Sequence, residues 1–266
     1  MNINNKILLK EKHNNSILRL VLNDPKRKNA LSEDMIFALN SHISASSVDK
    51  SVKVIIISSN SNVFCSGHNL KEISAAREKK DSGSSYFMEL FDSCSSLMQL
   101  IVNCPKPVIA EVNGVATAAG CQLVASCDLA IASSNSKFAT PGVDIGLFCS
   151  TPMVALSRSV SSKDAMKMLL TAEMIDASEA KRISLINEYV EENELKQYVL
   201  SLADKISKKS ANVVQLGKKA FYKQLNMNLS DAYKYTSKIM SDNALKEDAI
   251  EGINAFIEKR KPNWKE

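Results

Sequence analysis

Apolar positions recur along this chain in two rhythms, and the first ninety residues show both. Lys6 to Lys12 and Ser16 to Leu22 carry strand patterns, and His13-Asn14-Asn15 between them predicts a hairpin turn. Ser32 can cap a helix with Glu33 and Asp34 in its first turn. Met35, Ile36, Leu39 and Ile43 then continue that helix at the expected spacing. Val52 to Ile57 is a mostly β-branched run and predicts a buried strand. From Ser74 to Ser85 the chain is polar, which predicts a surface loop or a mobile segment beside a site. Tyr86, Phe87, Leu90, Phe91, Leu97, Met98 and Ile101 mark a long amphipathic helix that stops at Pro105. Neither His13 nor His42, which lies on the first helix, is assigned a function.

The stretch from Pro107 to Pro152 organises the rest. An apolar run, Val108 to Val112, ends at Asn113-Gly114, and small residues from Ala116 to Gly120 lead into a helical pattern. A second apolar run, Asp128 to Ala132, predicts another strand. That order puts unpaired backbone N–H groups at a helix N-terminus, where an anion or a developing oxyanion is stabilised. Ala118, Ala119 and Gly120 would let a substrate carbonyl come close. The plainer reading is a strand–helix joint made small for packing. Beyond Pro152 the pattern is helical almost throughout, with Ser178 and Asp231 as caps and a last helix from about Asn243 to Lys259. Together these patterns predict an α/β core over 1–200 and a helical part over 201–266.

Composition narrows the class. A net charge of +5 spread along 266 residues favours anionic small molecules, and without a basic stripe it makes nucleic acid the weakest partner. Six cysteines without a Cys-x-x-Cys pair, and only three histidines, predict no metal site and a reducing compartment. No apolar stretch approaches the roughly 20 residues of a membrane helix. The first residues, MNINNKILLKEK, lack a secretory or Arg-rich amphipathic pattern, so a cytoplasmic location is expected.

The central stretch NGVATAAGCQLVASCDLAIAS, with FATPGVDIGLFCSTP after it, resembles the core of the enoyl-CoA hydratase/isomerase (crotonase) superfamily. FCSGHNLKEI (64–73), DPKRKNALS (24–32), IDASEAKRISLINEYV (175–190) and the end, EGINAFIEKRKPNW, match it in order. The resemblance implies the ClpP/crotonase-like spiral of ββα units. It also implies C-terminal helices that assemble a homotrimer, often as a dimer of trimers. Its members hold an acyl-CoA thioester, so coenzyme A arrives with the substrate and no separate cofactor is expected.

By motif position, the resemblance puts the oxyanion-hole donors on the backbone N–H groups of His68 and Ala119. Such preorganised donors are worth about 3 kcal/mol each. The His68 side chain is left open between the pocket and the surface. On the CoA side, Arg27 and Lys28 match phosphate-side residues, and Ser66, Asn69 and Leu70 belong to the loop that accepts adenine and pantetheine. Phe256 and Lys259 resemble residues that close the CoA site, often from a neighbouring subunit.

The departures bear on chemistry. Hydratases of the family place glutamates at the positions of Gln122 and Gly142, and isomerases use a carboxylate there or near Ser150. None of these three is acidic. Asp144 should face away, and the counterparts of Glu72 and Glu111 are not bases. Loss of a general acid–base group costs about 10² to 10⁴ in rate. Three readings follow: an acyl-CoA enzyme of the hydratase type with little hydratase turnover, a malonyl-type acyl-CoA decarboxylase, and a non-catalytic acyl-CoA-binding or regulatory protein. Decarboxylation needs no base to begin, and Gly67-His68 is similar to the decarboxylase motif, with Cys149 or Ser150 where CO₂ would leave.

Overall fold

Asn14 and Asn15 both adopt left-handed backbone, with φ of 47° and 56°, which turns β1 (Leu8–His13) back onto β2 (Ile17–Leu22). The computed structural model describes residues 7–265, so Lys6 of the expected first strand lies outside it. His13 ends β1 rather than forming the turn, and its ring sits 3.4 Å from the Glu11 carboxylate. Helix α1 (Glu33–Val48) starts as expected, with the Ser32 hydroxyl accepting from the Met35 N–H at 3.3 Å.

The middle of the chain repeats one motif three times. Strands β3 (Val54–Ser59), β5 (Val108–Val112) and β7 (Leu129–Ser133) lie parallel in a six-stranded sheet of order β1-β2-β3-β5-β7-β10, closed by β10 (Glu188–Val190). After each, a short strand joins a second sheet: β4 (Val63–Cys65), β6 (Val115–Thr117) and β8 (Lys137–Ala139), with β9 (Ile175–Asp176) at its edge. Helices α2 (Leu70–Ala76) and α3 (Ser84–Asn103) follow β4, and α4 (Ala119–Ser126) follows β6. A 3₁₀ turn, Pro141–Ile145, follows β8. These are the ββα units that the resemblance implies.

Burial on both faces explains the unbroken apolar runs. One face of the large sheet carries Ile17, Val54, Ile56, Ile109 and Ile131 against Leu195, Val199 and Ala203 of α8 (Glu192–Ser207). The other face joins a larger core that includes Leu20, Ile55, Ile57, Leu39, Leu97 and Ile101. Before α8 come α5 (Pro152–Ser159), α6 (Ser162–Thr171) and α7 (Ala177–Arg182). After it come α9 (Ala211–Gln224), α10 (Leu229–Ala244) and α11 (Glu247–Ile257). Lys218 of α9 ties this part to the core: its ammonium donates to Ile101 O and Lys106 O at 3.0 Å and to Asp128 at 2.6 Å. Asp128 also accepts from Tyr222 Oη at 2.9 Å.

Four sequence expectations are corrected. The stretch after Pro152 contains strands β9 and β10, too short to show a period. Asp176, not Ser178, caps α7, accepting from Glu179 N at 2.8 Å. Asn228, not Asp231, caps α10, and Asp231 N donates to it at 3.0 Å. The last helix begins at Glu247, because Asn243 belongs to α10. The 74–85 segment is the end of α2, a turn, and the start of α3, held by Asp81, whose carboxylate accepts from the Gly83 and Ser85 N–H groups. Those bonds hold Asp81 down to about 2.

Candidate active site

β4 and β6 are parallel neighbours, with Cys65 beside Ala116. Loops that follow such strands emerge on the same edge, outside the carboxyl ends, where α/β proteins place ligands. The β4 loop is Ser66-Gly67-His68-Asn69, and the β6 loop is Ala118 at the start of α4.

Close contacts between backbones bring the loops together. A β-carbon on Gly67 would lie 2.9 Å from Ala118 Cβ and 3.2 Å from Ala119 N. One on Gly120 would lie 2.1 Å from Cys65 O. Thr117 Oγ1 donates to Ser66 O at 3.3 Å. As the first residue of α4, Ala119 has no carbonyl one turn earlier to receive its N–H. Ala118 pays for the sharp entry with φ 50° and ψ −119°, left-handed backbone that favours glycine.

The N-terminal motif stitches onto the same loop. Ser66 N donates to Lys28 O at 3.2 Å, and Leu31 N donates to Gly67 O at 2.7 Å. Arg27 pairs with Asp24 and lies 3.8 Å from Glu72. Asn69 caps α2 through Lys71 N at 3.1 Å and donates to Glu72 Oε1 at 2.8 Å. Leu70 opens α2, half exposed. Thus Arg27, Lys28, Ser66, His68, Asn69, Leu70 and Ala119 form one neighbourhood. Phe256 and Lys259 do not join it within this chain. Both are exposed, and among the described residues no hydrogen bond or ion pair links either side chain to the 66–70 loop.

His68 turns its ring inward. Nδ1 is 3.2 Å from Leu31 O, and the ring packs edge-on against Phe91 with centroids 5.4 Å apart. Nε2 is buried without a hydrogen-bond partner. Burial, only partly opposed by the Leu31 bond, holds the imidazole below its ordinary pKa.

At the first of the positions where the resemblance leads one to expect an acid, Gln122 lies buried on α4 with Oε1 unpartnered. Gly142 has no room for a side chain: a β-carbon would lie 2.7 Å from Leu147 O and 2.9 Å from Cys149 Sγ. Ser150 is exposed, with its hydroxyl 3.4 Å from Phe148 O. Asp144 is exposed as well. Glu111 is buried and held by Arg19 Nε at 3.0 Å and Nη2 at 2.5 Å. Cys65 and Cys121 are pushed up to about 12 by burial, so they remain thiols.

Three residues near the site escaped the sequence reading. Phe91 and Tyr86 looked like core positions of one amphipathic helix. Tyr86 is raised to about 12, first by burial and then by the charges of Glu33 and Glu72. Thr140, before the 3₁₀ turn, is buried with Oγ1 unpartnered. Among the described residues, the buried side-chain atoms without partners are His68 Nε2, Glu72 Oε2, Tyr86 Oη, Gln122 Oε1 and Thr140 Oγ1. Four of them come from α2, α3, α4 and the loop before α2, and Thr140 precedes the 3₁₀ turn.

Two parallel-strand loops meeting at a helix N-terminus, inside a spiral of ββα units, define the crotonase class of fold. The human enoyl-CoA hydratase domain-containing protein 3 structure superimposes with a TM-score of 0.92 at 49% identity, covering 97% of this chain and 100% of that one. The enoyl-CoA hydratase/isomerase family profile matches residues 12–266, and this chain belongs to that family. Mitochondrial enoyl-CoA hydratase domain-containing protein 3 of Xenopus laevis is 51% identical over 97% of this chain and 85% of its own length. The 2,3-dehydroadipyl-CoA hydratase of Escherichia coli is 31% identical over 94% of this chain and 95% of its own. The expected cytoplasmic location is overturned here, because the Xenopus protein and its rat, mouse and human counterparts are named mitochondrial. The N-terminal pattern that suggested cytoplasm was only the lack of a recognisable signal.

Proposed function

We propose that this protein binds acyl-CoA thioesters and holds the carbonyl oxygen between the amides of His68 and Ala119, without serving as an efficient hydratase. The observation that supports this reading is the close approach of Gly67 to Ala118 and Ala119, which brings the loop carrying the His68 amide against the start of α4, where the Ala119 amide lies. Donors fixed in a dry site stabilise the enolate oxygen more than the carbonyl, since charge grows on it. The lack of hydration follows from Gln122, which is no proton carrier, and from Gly142, whose surroundings are filled. Arg27 and Lys28 supply positive charge beside the loop for CoA phosphates. Phe256 and Lys259 would serve the CoA site of a neighbouring copy in a trimer or a dimer of trimers. The exposed Leu229, Met240 and Phe256 of the last helices, and Leu245 in the turn between them, support such an assembly.

Calorimetry with crotonyl-CoA should show binding, while enoyl absorbance declines at a rate about 10² to 10⁴ below that of an ordinary hydratase. Hydration at an ordinary hydratase's rate would refute this reading. Decarboxylation of a malonyl-type thioester is the second reading, favoured because loss of CO₂ generates the enolate with positions 122 and 142 non-acidic. Release of CO₂ from malonyl-CoA in the same assays would select it. Binding across a thioester panel without turnover would leave a non-catalytic acyl-CoA-binding role.

A further inference from the structure

We propose that the imidazole of His68 is a catalytic base, its Nε2 taking the α-proton of an acyl-CoA whose carbonyl is held by the His68 and Ala119 amides. This rests on the thioester reading above and supplies the proton acceptor that positions 122, 142 and 150 lack.

The tautomer follows from geometry. A carbonyl oxygen only accepts, so the 3.2 Å contact with Leu31 O requires the proton on Nδ1. In the neutral ring, Nε2 then carries a bare lone pair. That atom is buried and has no hydrogen-bond partner. An unpartnered buried acceptor is costly to keep, and a catalytic role is one of the few reasons a protein retains one. Burial keeps the ring neutral near pH 7, and no charged side chain is among the causes of its shift. The Leu31 carbonyl has a second use: once Nε2 is protonated, it receives the Nδ1–H of a cation and steadies it.

Placement favours His68 over its neighbours. The α-carbon of a thioester is bonded to the carbonyl carbon, and the carbonyl oxygen is assigned to this residue's own N–H. Glu72 Oε1 accepts from Asn69 at 2.8 Å and lies 3.8 Å from Arg27, but its Oε2 is buried without a partner, so Glu72 is the competing base that the test must separate. Tyr86 is raised to about 12 and keeps its proton. Burial also raises Cys149, which stays a thiol.

In the step, the Cα–H bond breaks and its proton forms N–H on Nε2. The bonding pair becomes the C=C of the enolate as the carbonyl π pair moves onto oxygen. Imidazolium and enolate leave the site net neutral. Return of the proton restores both partners, so no oxidant or reductant is consumed.

The test uses the full protein and butyryl-CoA, which can neither hydrate nor lose CO₂. In D₂O the wild type should place deuterium at C2, read by mass spectrometry of the thioester. His68→Gln, which retains the backbone amide, should exchange at least about 100-fold more slowly, with butyryl-CoA affinity by calorimetry changed less than about threefold. His68→Asn is the second variant should His68→Gln fail to fold, checked by circular dichroism. Glu72→Gln should exchange within a few-fold of wild type. Exchange that survives in both His68 variants, or that disappears only in Glu72→Gln, overturns the assignment. So does a wild type that binds butyryl-CoA without exchange. If butyryl-CoA does not bind the wild type, the thioester reading falls first and the base falls with it.

Discussion

Gly120→Ala is expected to damage both stability and ligand binding more than any other single-methyl change at the site. Its new β-carbon would sit 2.1 Å from Cys65 O, and 2.8 Å from the same carbonyl's carbon. Both obstacles are backbone, so no rotamer change can make room. α4 would have to withdraw from β4, carrying the Ala119 amide away from His68. Overpacking of this kind costs about 1–3 kcal/mol, and a clash this deep belongs at or above the upper end. Denaturant unfolding should show that loss, and calorimetry should show butyryl-CoA affinity reduced at least about tenfold. Gly217→Ala is the matched control. It lies within α9 with nothing near its β-carbon, and should be neutral or more stable by about 0.5–1 kcal/mol. Equal behaviour of the two variants would show that the contact between α4 and β4 does not set the site.

Replacing both Gln122 and Gly142 with glutamate is expected to destabilise the protein without creating an ordinary hydratase. Position 122 is already a buried long side chain, and glutamate fits its volume. Position 142 is different, since its β-carbon would meet Leu147 O at 2.7 Å, Cys149 Sγ at 2.9 Å and Cys149 N at 3.1 Å. The 3₁₀ turn would open, at about 2–3 kcal/mol. A transition shifted down by roughly 4–12 °C would report this. Crotonyl-CoA hydration should stay at least about 100-fold below that of an ordinary hydratase. A double variant that folds normally and hydrates rapidly would mean that the two positions are merely vacant and not rebuilt.

How much of this was legible in the sequence depended on where the determining contacts lie. Helix α1 was readable because its cap and apolar face sit within one short segment. Strands β3, β5 and β7 were readable because burial on both faces makes their runs almost wholly apolar. β6 was not, since Val115–Thr117 is only three residues long and is defined by pairing with β4 and β8. The same limit hid the buried Arg19–Glu111 pair, whose partners are 92 residues apart. At the site, the motif order located the His68 and Ala119 loops, whereas the direction of the His68 ring was out of reach. That direction is fixed by Leu31 O, 37 residues earlier, and by Phe91 on another helix. Gly142 read as a missing side chain, and only packing with Leu147 and Cys149 reveals that the space is taken.

A crystal structure of the protein with butyryl-CoA is the most direct measurement. The expected result is one thioester oxygen within about 3 Å of both the His68 and the Ala119 nitrogen, with no carboxylate in reach of C2 or C3. A carbonyl bound away from either amide, or an acid standing beside those carbons, would contradict it.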